Sequence, residues 1–180
     1  MLTYLLACSQ FIDRITDWAG RLASALVLVA VLLCAGAATV RYGLNMSSNA
    51  WLEAQVVLFG AVVYFGGAQA LKLNAHIRID ILYGARSERT RLWIDIFGLV
   101  CFLMPVVVVM TVMTWDLFWG AYLSDERSSN AGGLPLWPAK ATIPIGLFLL
   151  GLQGLSELVK RVAALRGHLQ LDLNYQKPQQ

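Results

Sequence analysis

AQVVLFGAVVYFGGAQALKLNAHIRIDILY, residues 54–83, decides the fold. Residues 54–71 carry no charge, and at about 1.5 Å per residue they cover roughly 27 Å as a helix, close to the roughly 30 Å hydrocarbon core of a bilayer. Lys72 closes the run. Behind it His76, Arg78 and Asp80 fall on alternate residues with Ala75, Ile77, Ile79 and Ile81 around them. Period two puts the polar groups on one side of an extended strip, which suits a membrane surface. Alternatively, Ile77, Ile81 and Leu82 form one face of a short helix, and the pattern leaves both readings open.

Three further runs resemble the first, at residues 22–40, 96–115 and 141–156. A chain of 180 residues that is 58% hydrophobic and 14% charged, with mean hydropathy +0.61, is too apolar for a soluble domain of this size. The expected fold is an all-α integral membrane protein with four transmembrane helices near residues 20–42, 50–72, 93–116 and 139–159. They make one membrane domain over residues 1–166, followed by a polar tail, 167–180, expected to fray.

Of the 14 Lys and Arg residues, 11 lie in the N-terminal segment, the second connection and the tail, and 3 (Arg41, Arg127 and Lys140) lie in the first and third connections. The positive-inside rule then puts both termini in the cytoplasm. The net charge of +3 reflects this topology, and no nucleic-acid partner is needed to explain it. All six tryptophans fall near expected span ends, where an amphipathic ring stays half wet. Cys8, Cys34 and Cys101 show no CxxC spacing, so neither a disulfide nor a metal site is expected. The first apolar run is of full span length, which argues against a cleaved signal peptide.

Residues 1–19 place Leu5, Cys8, Ile12, Ile15 and Ala19 at helical intervals, with Thr3, Gln10, Asp13, Arg14 and Asp17 mostly facing elsewhere. Two readings fit: an interfacial amphipathic helix on the cytoplasmic membrane surface, or the start of the first transmembrane helix. Ser87 and Glu88 predict a capped start to the third helix, and Arg91 and Asp95 beyond them read as a solvated surface pair. Pro105 falls inside the third span, where a kink is expected, and Pro144 near the start of the fourth. Residues 116–140 form the one sizeable outer loop, either a partner-binding surface or a simple cap on the helix pair.

Chemistry is sparse. The span centres lack ionisable groups, which argues against an ion or substrate path through this chain alone, and no second half mirrors the first as in self-sufficient carriers. His76 and His168 sit in different segments, unsuited to holding a haem between helices. Neither a phosphate loop nor a catalytic triad appears, so no enzyme activity and no cofactor are expected. What stands out is small residues: Gly60, Gly66, Gly67 and Ala70 on the second helix, and Gly146, Gly151 and Gly154 on the fourth, which permit close helix approach. A small four-helix membrane protein with no site of its own is most simply a subunit; a stand-alone four-helix structural protein and the membrane anchor of a redox enzyme are the alternatives.

The chain resembles the small membrane subunit, DctQ type, of tripartite ATP-independent periplasmic (TRAP) transporters. Carrying the resemblance are the four spans, Trp51 and Glu53 opening helix two, the His76, Arg78, Asp80 strip, and Arg89 and Asp95 leading into the helix with Pro105. The segment from Ser128 to Arg161 is similar to a subgroup associated with keto and hydroxy acids. The resemblance implies a multi-pass protein of the bacterial inner membrane that works beside a large multi-span subunit carrying the transport path, with a periplasmic binding protein delivering an organic acid. Uptake would be driven by a cation gradient, without ATP, and the small subunit would extend the scaffold against which the large one moves. Candidate subunit- or lipid-facing residues are Trp51, Glu53, His76, Arg78, Asp80, Arg86, Arg89 and Arg91. Candidates for docking the binding protein are Asp125, Glu126, Arg127 and Trp137.

Overall fold

A computed structural model describes residues 2–74 and 86–169. His76, Arg78 and Asp80, and nearly all of the polar tail, lie outside the described residues. Among the described residues, four helices are long and apolar enough to cross a membrane. They are α1 (Leu2–Leu44), α2 (Asn49–Lys72), α3 (Glu88–Leu123) and α4 (Trp137–Leu165). No strand occurs among the described residues beyond a single bridge between Arg127 and Pro135.

The N-terminal segment is the first part of α1, one helix of 43 residues. Its amphipathic pattern is inverted relative to a surface helix. Ser9 and Thr16 are 2% and 1% exposed, while Phe11 and Trp18 are 65% and 62% exposed. A polar inner stripe and apolar outer faces are the arrangement expected where the surroundings are lipid, because unpaired polar groups are costly there.

The helices form a slab. α1 lies beside α2, α2 beside α4, and α4 beside α3, with α1 also reaching α4. α4 therefore touches every other helix, and its buried positions are mostly small or polar, including Gly146, Gln153, Gly154, Ser156 and Arg161. Between α1 and α2 the turn is four residues, with Asn45 in the left-handed region (φ 52°) and the Ser48 side chain accepting from the Ala50 N–H. The α3 start has the expected cap, Ser87, whose hydroxyl accepts from the Thr90 N–H at 3.4 Å.

Within α3, residues Leu99–Leu103 form a π turn, in which the Met104 N–H bonds the Leu99 carbonyl. It directly precedes Pro105, which lacks an N–H and whose ring would crowd the carbonyl four residues back. A wider turn there takes up the misfit within the helix. Pro144 lies well inside α4, since that helix begins at Trp137, and it is buried. The helix starts two residues before the expected 139, so Pro144 lies seven residues, nearly two turns, inside it.

Close approach depends on α4. A Cβ on Gly146 would meet Tyr64 Cβ at 2.5 Å and the Tyr64 carbonyl oxygen at 2.8 Å. One on Gly154 would meet Met104 and Leu103 side chains at 2.6 and 2.7 Å, and one on Gly151 would meet Val107 at 3.1 Å. The α2 glycines behave differently: Gly60 and Gly67 face open space, and Gly66 is 3.9 Å from Ala23. Gly146→Ala should therefore push α2 from α4 and destabilise the protein by about 1–3 kcal/mol, whereas Gly60→Ala should be nearly neutral. Thermal unfolding in detergent, followed by circular dichroism, checks this; equal melting points for the two variants would refute it.

Candidate functional site

The polar side chains gather at the two ends of the slab. At one end α1 presents Ser9, Asp13 and Thr16 at intervals of four and three, one helical face. The facing stripe on α4 is Gln153, Ser156, Glu157, Lys160 and Arg161. The two run antiparallel and interlock. Thr16 Oγ1 donates to Gln153 Oε1 at 2.7 Å, and the Ser9 and Ser156 hydroxyls are 2.7 Å apart. Ser156 Oγ lies 2.9 Å from Asp13 Oδ1 and gives its proton there, so Ser9 is the donor in the hydroxyl pair. Gln153 Nε2 donates to both Asp13 Oδ1 and Glu157 Oε1 at 3.1 Å, which uses both of its N–H donors.

Charges fill the rest. Lys160 Nζ is 2.6 Å from Asp13 Oδ2 and 2.9 Å from Glu157 Oε1. Arg161 Nε is 3.0 Å from Asp95 Oδ2 on α3, its Nη1 pairs with Glu157, and its Nη2 donates to Asn74 Oδ1, just past α2, at 3.3 Å. Lys72 closes the set, with Nζ 2.5 Å from Asp17 Oδ1 and 3.2 Å from the Asp13 carbonyl. All four helices thus meet in one network of paired charges. Among the described residues no group of His, Cys, Asp and Glu could hold a metal. The network's chemistry is that of a fastening, with donors and carboxylates matched to one another.

The other end has a second fastening. Glu53, in the first turns of α2, accepts at Oε1 from Ser128 Oγ (2.5 Å) and Asn130 Nδ2 (2.8 Å) and at Oε2 from the Leu134 N–H (2.8 Å). Those three groups belong to the connection between α3 and α4. It folds back on itself through the Ser128 N–H to the Leu134 carbonyl (3.0 Å) and the Leu136 N–H to the Glu126 carbonyl (2.9 Å), and turns at Gly132 with φ +72°. One carboxylate therefore ties α2 to a loop far along the chain.

A family model for tripartite ATP-independent periplasmic transporters, DctQ component, matches residues 31–164. The chain belongs to this family. The matched part of this DctQ protein holds the C-terminal part of α1, all of α2 and α3, and nearly all of α4, and so includes Glu53, Asp95 and the α4 stripe; Ser9, Asp13 and Thr16 precede it. Neither a curated protein nor a solved structure matches the chain.

The sequence-expected residues scatter over this frame. Trp51 is half-exposed in the first turn of α2, and Glu53 beside it holds the loop. Arg86 and Arg89 are exposed around the start of α3, and Arg91 Nε donates to the Arg86 carbonyl at 3.0 Å. Asp125 and Arg127 are exposed and 3.5 Å apart. Glu126 turns back to Lys140, 2.5 Å away, and Trp137 sets its ring edge-on to Tyr122. One expectation is overturned: Asp95 is no solvated surface residue, because its side chain, 8% exposed, is buried against Arg161.

The charged network itself escaped the sequence reading. Its signal was two matched polar stripes, one in each terminal helix. In this DctQ protein Glu53→Gln should loosen the loop, because a neutral amide is a weaker acceptor than a carboxylate for the three donors. Faster backbone hydrogen exchange at 128–134, with exchange in α1 unchanged, is the expected signature. Unaltered exchange across that loop would show that the carboxylate does not hold it.

Proposed function

We propose that this TRAP transporter component is the small permease subunit whose role is mechanical: it stiffens and widens the fixed part of the transporter while a larger multi-span subunit carries the substrate. The observation that carries the reading is the fastening of all four helices at one end through Arg161, Glu157, Lys160 and Asp13. Groups paired in this way serve a part that must not deform. The slab shape supports the same reading, because it leaves long apolar faces for lipid and for a partner helix.

In this reading both termini lie in the cytoplasm of a bacterium, where the basic residues gather, and the α3–α4 loop faces the periplasm. A periplasmic binding protein brings an organic acid to the large subunit, and a cation gradient drives its entry. Asp125 and Arg127, exposed at the loop tip, are the contacts this subunit would offer the binding protein. Arg86 and Arg89 would meet anionic headgroups on the cytoplasmic face.

The test is purification from the native membrane under mild detergent. A stoichiometric large membrane subunit should accompany the chain, and recovery of the chain alone or with a haem protein would overturn the proposal. Arg161→Met removes the guanidinium that Glu157 and Asp95 share, a loss of about 3–5 kcal/mol. It should lower both the yield of the complex and organic-acid uptake into vesicles. Full uptake with the network broken would remove the mechanical role.

A further inference from the structure

At the end of the slab that holds the α1–α2 turn, α1 and α2 part to leave an open groove of about 590 Å³. Its walls are apolar, with Val27, Val31 and Cys34 on α1 and Val56, Phe59 and Val62 on α2. That volume lies within the range of roughly 300–1,000 Å³ usual for small-molecule sites.

Two polar groups interrupt the walls, at the heights where a phospholipid is polar. Gln55 lines the groove, one turn in from its mouth, and has no hydrogen-bond partner among the described residues. Beyond it a small recess shares Leu52 with the groove and is lined by Arg41, Ser47 and Trp51. Arg41 lies seven residues from Cys34 and fourteen from Val27, on the same face of α1. Among the described residues only one of its five N–H donors is engaged, by Ser47 Oγ at 3.4 Å. The other two basic residues at this end, Arg127 and Lys140, each face a carboxylate, whereas Arg41 faces none among the described residues. From Arg41 to Val27 the helix rises about 21 Å, and one leaflet's hydrocarbon is about 15 Å deep.

We propose that this groove is a binding site for one anionic phospholipid of the leaflet that contains the α1–α2 turn. An acyl chain lies along Val31, Cys34 and Phe59. The ester oxygens accept from Gln55, and the phosphate accepts from the free Arg41 donors and the Ser47 hydroxyl. Charge selects the occupant: an unpaired guanidinium at the mouth of an apolar trough matches a phosphate with tails, and it would be unmatched by the apolar side chains of a neighbouring helix. The proposal does not depend on the reading of the subunit's role.

Native mass spectrometry of the full chain, purified from its membrane in mild detergent, tests it. Dioleoyl phosphatidylglycerol and dioleoyl phosphatidylcholine are offered at equal concentration. The expected result is a single saturable adduct favouring phosphatidylglycerol by about tenfold. Arg41→Gln should erase the preference, and Val56→Trp, which fills the trough, should erase the adduct. Glycerol 3-phosphate, which has the head without the tails, should not bind. With Cys8 and Cys101 replaced by Ser, phosphatidylglycerol should also slow alkylation of the exposed Cys34. Equal retention of the two lipids, an unaltered Arg41→Gln variant, or many non-saturating adducts would each overturn the site. So would a photoreactive residue at Val56 that captures a protein in the native membrane instead of a phospholipid.

Discussion

A guanidinium keeps its charge even in a dry helical interface, where it is costly without carboxylates against it, and Arg161, 3% exposed, has two. Glu157 comes from its own helix and Asp95 from α3, while Asn74 takes the remaining edge from the end of α2. Glu157 in turn shares Gln153 and Lys160 with Asp13 of α1. One cation thus fixes the register of every helix at that end. Buried pairs of this kind add little net stability against apolar substitutes of the same shape, yet losing one member is costly. Their value here lies in specifying a single arrangement: a helix displaced by one turn would strand a charge in the interface.

The spans were legible because a bilayer imposes a length, and four uncharged runs of that length stand out in the chain. The start of α3 was legible for a local reason too, since Ser87 and Glu88 are a capping pair. The fastening was not, because its partners are brought together from opposite ends of the chain: Ser9 meets Ser156, and Asp13 meets Lys160. A polar stripe in α1 has two explanations, water or another polar stripe, and a single helix cannot distinguish them. The same ambiguity put Asp95 beside Arg91 in solvent. Small residues divided in a similar way. Glycines on α4 face Tyr64, Met104 and Val107, while Gly60 and Gly67 on α2 face outward, and only the neighbour's position separates the cases.

At the opposite end the logic is local water exposure combined with long-range closure. Glu53 is surrounded by three donors from a single loop, and that loop's own backbone bonds account for most of its shape. The α3–α4 connection is therefore an ordered cap on α2, which brings its exposed pair, Asp125 and Arg127, to a defined place above the slab. Both ends of the protein are held by carboxylates, one set buried with cations and one set accepting neutral donors.

The π turn ahead of Pro105 also sets the phase of the third span. Leu99 and Val107 are both buried, and they stand eight residues apart. In an uninterrupted α-helix eight residues overshoot two turns by about 80°, so one of the two would swing away from α4. A slower-winding turn between them takes back part of that rotation and lets both halves of the helix address the same neighbour. The proline and its wide turn thus act as a phase correction, joining two segments whose buried faces would otherwise be out of step.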